Sequence, residues 1–157
     1  MNRWMLGAVV LFALAACQHG PDLPRRDGDW VRAEGQREGK PMVWQMREHY
    51  TPTPERAQLL VVSWHFATTR EDGQPDETSQ KQLDTAEKSL LAALGAEATL
   101  VAVLDYNTQH DWYFYARDPA LRAKAERAVS APGRDVVVTA EDDAKAQFYT
   151  ALGQRVK

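Results

Sequence analysis

The sequence predicts an α+β domain in which two helices pack on one face of an antiparallel sheet. Alternating apolar residues mark four segments after residue 58, and apolar residues at helical spacing mark two segments between them. Their order is β-α-β-β-α-β, and right-handed crossovers place both helices on the same face, which is the ferredoxin-like arrangement. Two more alternating segments before residue 49 predict an N-terminal β-hairpin, and a final apolar segment predicts a C-terminal helix.

The N-terminal hairpin is predicted over residues 29–48, with its turn at residues 38–40. Met42, Trp44 and Met46 alternate with Val43, Gln45 and Arg47, the period expected of a half-buried strand. Two prolines within residues 51–54 end the pattern, because proline lacks the N–H that a sheet requires. We expect the hairpin to be an addition that covers part of one sheet face.

The first core strand is predicted over residues 59–66 (LLVVSWHF), which are apolar on both faces like a central strand. The first helix follows a cap at Asp76 or Thr78, and Gly95 ends it. Its apolar stripe recurs at helical spacing: Leu83, Ala86, Leu90 and Leu94.

Residues 99–106 and 112–117 predict two strands around a tight polar turn at residues 107–111. Asp118-Pro119 starts the second helix, because aspartate accepts from free N–H groups and proline tolerates the first helical position. A short strand at 136–139 and a last helix at 141–152 complete the domain. Asp142-Asp143 then lie at a helix start, where negative charge is stabilised; an acid/base pair is the alternative.

The amino-terminal segment explains the only cysteine of the chain, Cys17. A short charged start with Arg3 precedes about a dozen apolar residues, a length that suits a secretory signal better than a membrane span. The ending LAAC at residues 14–17 resembles the lipobox of bacterial lipoproteins. That resemblance implies a diacylglycerol on the Cys17 sulfur, removal of residues 1–16 as a signal peptide, and acylation of the new amino terminus.

Other roles for Cys17 fit less well. A disulfide needs a second cysteine, and a catalytic thiol needs an electropositive pocket within a fold. An uncleaved membrane anchor remains the alternative. Residues 17–28 are rich in proline, glycine and charge and are predicted to be a tether, with one folded domain at 29–157. By the same resemblance, Gln18 favours the outer membrane over the inner one, with the domain facing the periplasm.

The charge balance excludes a typical nucleic-acid binder. The chain has 157 residues with 19 Lys+Arg and 22 Asp+Glu, a net charge of −3. Loss of Arg3 with the signal leaves 18 − 22 = −4. A nucleic-acid-binding domain usually carries a basic stripe, and the sequence has none.

Several short segments of the domain occur in a particular order. They are GKP at 39–41, LVVSW at 60–64, GQP at 73–75, VAVL at 101–104 and DWYFY at 111–115. Together they resemble the bacterial family called domain of unknown function 695, across roughly residues 29–152. That family is distantly similar to the ribonuclease E regulator B type, whose fold is ferredoxin-like. It has no established catalytic residues, and an exported protein does not meet the cytoplasmic ribonuclease, so the resemblance implies no activity.

Metal and catalytic sites have little support in the sequence. His49, His65 and His110 occur singly, whereas zinc ligands usually come in local pairs, so we expect no metal and no cofactor. Ser63 and His65 lie two apart on one strand and so share a face, with Asp105 on another strand. An exported hydrolase that uses Ser63 and His65 is therefore the alternative function.

The aromatic run at residues 112–115 is the most distinctive segment of the domain. Alternation predicts Trp112 and Phe114 on the helix side, with Tyr113 and Tyr115 on the other. Either both pairs are core, or the tyrosine side, joined by His65, is a half-wet binding surface. The sequence thus predicts an envelope lipoprotein, non-enzymatic, that binds an envelope protein or small ligand and contacts the membrane through the lipid on Cys17.

Overall fold

The computed structural model describes residues 28–155, so Cys17, the predicted signal peptide and all but the last residue of the predicted tether lie outside the described residues. Six strands and three helices follow one another, with a single 3₁₀ turn at Gly95–Glu97. The strands are β1 (Trp30–Arg37), β2 (Lys40–Arg47), β3 (Gln58–His65), β4 (Ala98–Tyr106), β5 (Gln109–Ala116) and β6 (Asp135–Asp142). The helices are α1 (Glu77–Leu94), α2 (Leu121–Val129) and α3 (Gln147–Arg155).

All six strands form one sheet in the order β1-β2-β4-β5-β3-β6. Every neighbouring pair is antiparallel, and β3 and β5 are neighbours at the centre of the core. The four core strands with α1 and α2 give the ferredoxin-like order, which confirms the predicted fold class. The N-terminal hairpin adds two strands to one edge of the sheet, because β2 pairs with β4. The expectation that the hairpin covers a sheet face is therefore wrong.

One face of the sheet is covered by α1 and α2. Trp112 and Phe114 are fully buried there, as predicted, because their strand alternates between two covered faces. The two helices contribute seven buried apolar residues to this core: Leu83, Ala86, Leu90, Leu94, Leu121, Ala125 and Val129. Loss of one such large side chain costs about 2–5 kcal/mol, so this face supplies much of the stability.

Helix α1 begins and ends at the residues that the sequence indicates. The Asp76 carboxylate accepts from the backbone N–H of Ser79 at 2.9 Å, so Asp76 and not Thr78 is the cap. Gly95 follows the last helical residue with a φ of 52°, a left-handed value that glycine adopts without strain. Helix α2 starts two residues after the predicted Asp118-Pro119, and the Asp118 carboxylate accepts from the N–H of Ala120 at 2.7 Å.

The opposite face is covered in part by α3. Phe148 and Leu152 pack onto strand residues that include Leu59, Val101 and Met46. The Tyr149 hydroxyl donates to the carbonyl oxygen of Arg47 at 2.6 Å and ties the helix to the end of β2.

The chain around β6 differs from the prediction in where strand and helix meet. The strand continues to Asp142, so Glu141 and Asp142 are strand residues and not the start of the last helix. The helix begins only at Gln147. Asp143 lies four residues before Gln147 and caps this helix with its side chain. Its carboxylate accepts hydrogen bonds from the N–H groups of Gln147 at 2.7 Å and Phe148 at 3.0 Å. These contacts give Asp143 a structural role.

The hairpin between β4 and β5 is tighter than predicted. Its turn consists of Asn107 and Thr108, with φ values of 45° and 66°, as in two-residue hairpin turns. Phe66 N–H donates to the Thr108 carbonyl at 2.9 Å, and Thr108 N–H donates to the Gly73 carbonyl at 2.8 Å, which fixes this unusual threonine backbone. The residues after the turn, among them His110, therefore belong to β5 and are not solvated loop.

A bulge interrupts β4 between Leu100 and Ala102. Leu100 packs in the core beneath α1 and α2, whereas Val101 and Ala102 both pack on the α3 side. Two successive residues thus share one face, and Val103 returns to the core beneath α1 and α2.

Candidate functional site

Part of the sheet face that α3 shares is left uncovered. The register aligns Trp44, Leu104, Asp111, Ser63 and Val137 in one row across five strands. Three residues of this row are half-buried or exposed and do not belong to the apolar core that packs beneath α3: Leu104, Ser63 and Val137. We call this row and the next one outward, which holds Met42, Tyr106, Gln109, His65 and Asp135, the open face.

Asp111 is the most unusual residue of the open face. Only 4% of it is exposed, yet its carboxylate accepts three hydrogen bonds from neutral groups alone. Gln109 Nε2 lies 2.8 and 3.0 Å from the two oxygens, and the Tyr113 hydroxyl donates at 3.1 Å. Among residues 28–155 the structure shows no ion pair to Asp111. A buried carboxylate without a cationic neighbour is costly, so it indicates a requirement other than stability.

Aromatic rings border this carboxylate. The rings of Trp44 and Tyr113 lie 5.5 Å apart, and Tyr113 stacks on Phe148 of α3 at 4.5 Å. Burial, reinforced by the negative charge of Asp111, raises the pKa of Tyr113 well above its ordinary value of 10.0. The Tyr113 hydroxyl therefore stays protonated and remains a donor to Asp111.

Tyr115 and His65 do not join Tyr113 in one site, although all three point to the predicted face. Tyr115 is 0% exposed, stacks on Tyr50 at 5.2 Å and donates to Asp143 at 2.6 Å. The expectation of a half-wet surface is thus wrong at Tyr115, because α3 covers it. His65 lies at the far end of β3, where its Nδ1 is 3.5 Å from an oxygen of Asp135.

The residues of the alternative hydrolase are dispersed. Ser63 and His65 share a face, but in the described part of the chain no hydrogen bond joins them. Asp105 lies on the opposite face, where its carboxylate contacts His110 Nδ1 at 2.5 Å. The structure therefore assembles no serine–histidine–acid arrangement from these three residues.

The pair of Asp105 and His110 forms a second polar group within the core. Asp105 is 8% exposed and His110 4%, and the histidine ring meets Trp112 edge-on at 4.3 Å. His110 Nε2 is buried and has no hydrogen-bond partner among the described residues. Trp112 in turn donates from Nε1 to the buried Glu87 at 2.9 Å.

Gln109, Asp111 and the Asp105–His110 pair were not predicted as a site, because the polar residues 107–111 have the composition of a turn. One signal was available. A two-residue turn at Asn107-Thr108 would continue the alternation of β5 back to Gln109 and place Asp111 and Tyr113 on one face. Within residues 28–155, no group of three or more histidine, cysteine or acidic side chains could hold a metal ion.

Comparison with protein families finds a match. The model described as a family of unknown function, DUF695, matches residues 28–152. Comparison with curated proteins and with solved structures finds no match. The matched range contains all six strands, the open face and the start of α3.

Proposed function

The chain belongs to the family of unknown function DUF695, and on that premise we propose that it is a lipid-anchored envelope protein that binds a partner through the open face without catalysing a reaction. The proposed anchor is the lipid on Cys17, on the periplasmic side of the outer membrane. The observation that carries the binding role is Asp111, a buried carboxylate held only by neutral donors. A positively charged group of the partner is the complement that this carboxylate lacks.

The surroundings of Asp111 support binding. Trp44, Leu104 and Met42 supply apolar contact area on the same face, and Tyr106 and Tyr113 combine rings with hydroxyl groups. Apolar area around one fixed polar group is the usual composition of a recognition surface. The Gln109 amide nitrogen contacts both carboxylate oxygens of Asp111. This is the position in which an ammonium or guanidinium nitrogen would bind a carboxylate.

The position of the open face agrees with an anchor at the amino terminus. The tether precedes β1, which starts at Trp30, whereas the rows of the open face cross β1 at Ala33 and Gly35. Three to five strand residues correspond to roughly 10–17 Å. The open face therefore lies toward the end of the sheet that is away from the start of β1. None of the helices within residues 28–155 is long and apolar enough to span a membrane.

The proposed function is tested in intact cells with the native anchor retained. A photo-crosslinking amino acid replaces Leu104 on the open face, and the matched control replaces Leu91, which is 42% exposed on α1. We expect a defined crosslinked species at Leu104 that is absent at Leu91 and is weakened by Asp111→Asn. Equal labelling at both positions, or no effect of Asp111→Asn, would contradict the proposed binding surface.

Asp111→Asn also separates function from stability. Asparagine keeps the shape and can still accept from Tyr113, but it removes a buried charge that has no cationic neighbour. We therefore expect the free energy of unfolding to stay the same or to rise, while crosslinking falls. A variant that unfolds would show that Asp111 serves the fold. The anchor is checked separately by mass spectrometry, since an unmodified Cys17 with Met1 retained contradicts lipidation.

A further inference from the structure

The two edges of the sheet are protected to different degrees. β1 carries Arg32, Glu34 and Arg37, and Arg32 pairs with Glu34 at 2.8 Å. Charges of this kind discourage another strand from pairing with an edge. β6 reads DVVVTAED, with five uncharged residues in its middle and neither lysine nor proline. Val137 on this edge is 50% exposed, which makes it one of the two exposed large hydrophobic residues of the described chain.

The backbone groups on the free side of β6 can be assigned. Asp143 N–H donates to the Ala57 carbonyl at 2.7 Å, in the same register that pairs β6 with β3. Hydrogen-bonded pairs alternate along antiparallel strands, so the odd-numbered residues of β6 bond to β3. The N–H and C=O groups of Val136, Val138 and Ala140 therefore point outward, and no residue within 28–155 bonds to them.

The charges of β6 select what can pair there. The exposed odd-numbered side chains read Asp135, Val137, Thr139 and Glu141, so two acids six residues apart flank two β-branched residues. A second copy that paired antiparallel over this full length would place Asp135 opposite Glu141 twice. Like charges directly opposite each other destabilise a strand pair. The edge is thus open to a strand but unfavourable for its own copy.

We propose that β6 accepts an extended peptide segment of a partner protein as a seventh strand. The segment carries basic residues at its first and seventh positions, opposite Asp135 and Glu141, and β-branched residues at its third and fifth, beside Val137 and Thr139. Backbone hydrogen bonds to Val136, Val138 and Ala140 provide affinity, and the alternate side chains provide specificity. This site shares Asp135 and Val137 with the end of the open face, but it uses the backbone edge of β6 and does not involve Asp111, so either proposal can fail alone.

The test uses the full chain in detergent micelles and the synthetic peptide KTVTVTK. Hydrogen exchange of the outward N–H groups of β6 should slow when the peptide is added, and β1 should be unaffected. Two control peptides are matched to it. ETVTVTE reverses the charges, and a form N-methylated on its β6-facing amides keeps the side chains but cannot complete the strand pair. Both should bind at least about tenfold more weakly, because each removes a component of edge pairing.

Charge reversal in the protein makes the test specific. Asp135→Lys with Glu141→Lys changes only exposed side chains of β6 and should invert the preference, so that ETVTVTE binds better than KTVTVTK. Glu34→Lys on β1 is the control and should leave both affinities unchanged. Protection on β1 or around Asp111 on β5, equal binding of the N-methylated peptide, or a dimer through β6 in sedimentation would each overturn the proposal.

Discussion

The Tyr115 hydroxyl donates to the Asp143 carboxylate at 2.6 Å, and this contact joins the centre of the sheet to the cap of α3. The same carboxylate accepts from the N–H groups of Gln147 and Phe148. One acidic side chain therefore links a fully buried strand residue to the start of the helix above it. This linkage explains why the face predicted to be half-wet is closed over Tyr115.

Phe114→Ala and Tyr115→Ala should destabilise the domain to a similar extent. Both residues are 0% exposed, so each truncation removes a buried ring and should cost about 3–5 kcal/mol. Urea unfolding followed by tryptophan fluorescence measures both. The control is Tyr115→Phe, which keeps the ring and should cost only about 0.5–1.5 kcal/mol, because the Asp143 oxygen loses one of its two donors and keeps the Phe148 N–H. A clearly smaller loss for Tyr115→Ala than for Phe114→Ala would show that α3 does not close this face.

Asp76 should make stability depend on acidic pH through the cap of α1. Hydrogen bonds from the Ser79 and Thr69 N–H groups hold the pKa of the Asp76 carboxyl far below its ordinary value of 3.8. A lowered pKa contributes stability above the unfolded-state pKa, and this contribution is lost as the pH falls below about 4. Asp76→Ala should lower the melting temperature at pH 7 and make it less sensitive to acid. Thr78→Ala, at the other candidate cap, should change neither.

Alkaline pH should destabilise the α3 side of the sheet. Burial, reinforced by neighbouring carboxylates, raises the pKa of Tyr113 and Tyr115 above the ordinary value of 10.0. A raised pKa contributes stability that is fully present below the unfolded-state value and is lost as the pH rises beyond it. Stability should therefore fall above about pH 10, and less steeply in Tyr115→Phe. Urea unfolding at several alkaline pH values measures both slopes, and equal slopes would contradict this prediction.

The Asp105–His110 pair should show strong coupling in a double-mutant cycle. Asp105→Leu leaves the buried His110 ring without the one hydrogen-bond partner that it has among residues 28–155, and His110→Phe removes the corresponding partner of the Asp105 carboxylate. Each single variant should lose about 1–3 kcal/mol, whereas the double variant should recover part of that loss because neither polar group remains unpaired. Additive losses, measured by urea unfolding, would mean that the two side chains act independently.

The fold could be predicted because its signals are local. Asp76 and Gly95 bound α1, alternation marks β2 and β5, and the order of elements leaves few topologies for the core. The position of α3 was not predictable in this way. Glu141 and Asp142 look like a helix start, but the β-branched residues before them pair with β3 and extend the strand. Tertiary pairing outweighs the local preference there.

The candidate site was harder to predict because its key residues depend on register. The sequence assigns Asp111 to a turn unless the turn is reduced to Asn107 and Thr108. Both have left-handed backbones, which asparagine adopts readily and threonine rarely. Thr108 keeps this conformation through contacts with the loop at Gly73, which lies far away in sequence. The burial of Asp111 beside Gln109 and Tyr113 then follows from strand pairing, which composition alone does not specify.

The bulge in β4 sets the parity of every residue that follows it in the strand. Because Val101 and Ala102 take the same side, Leu104 faces outward beside Asp111 and Asp105 faces inward beside His110. If β4 kept all of its residues but alternated regularly, without the bulge, these two positions would be exchanged. Leucine would enter the core in place of the aspartate, His110 would lose its partner, and a second carboxylate would stand next to Asp111. The bulge thus keeps the carboxylates of Asp105 and Asp111 on opposite faces of the sheet.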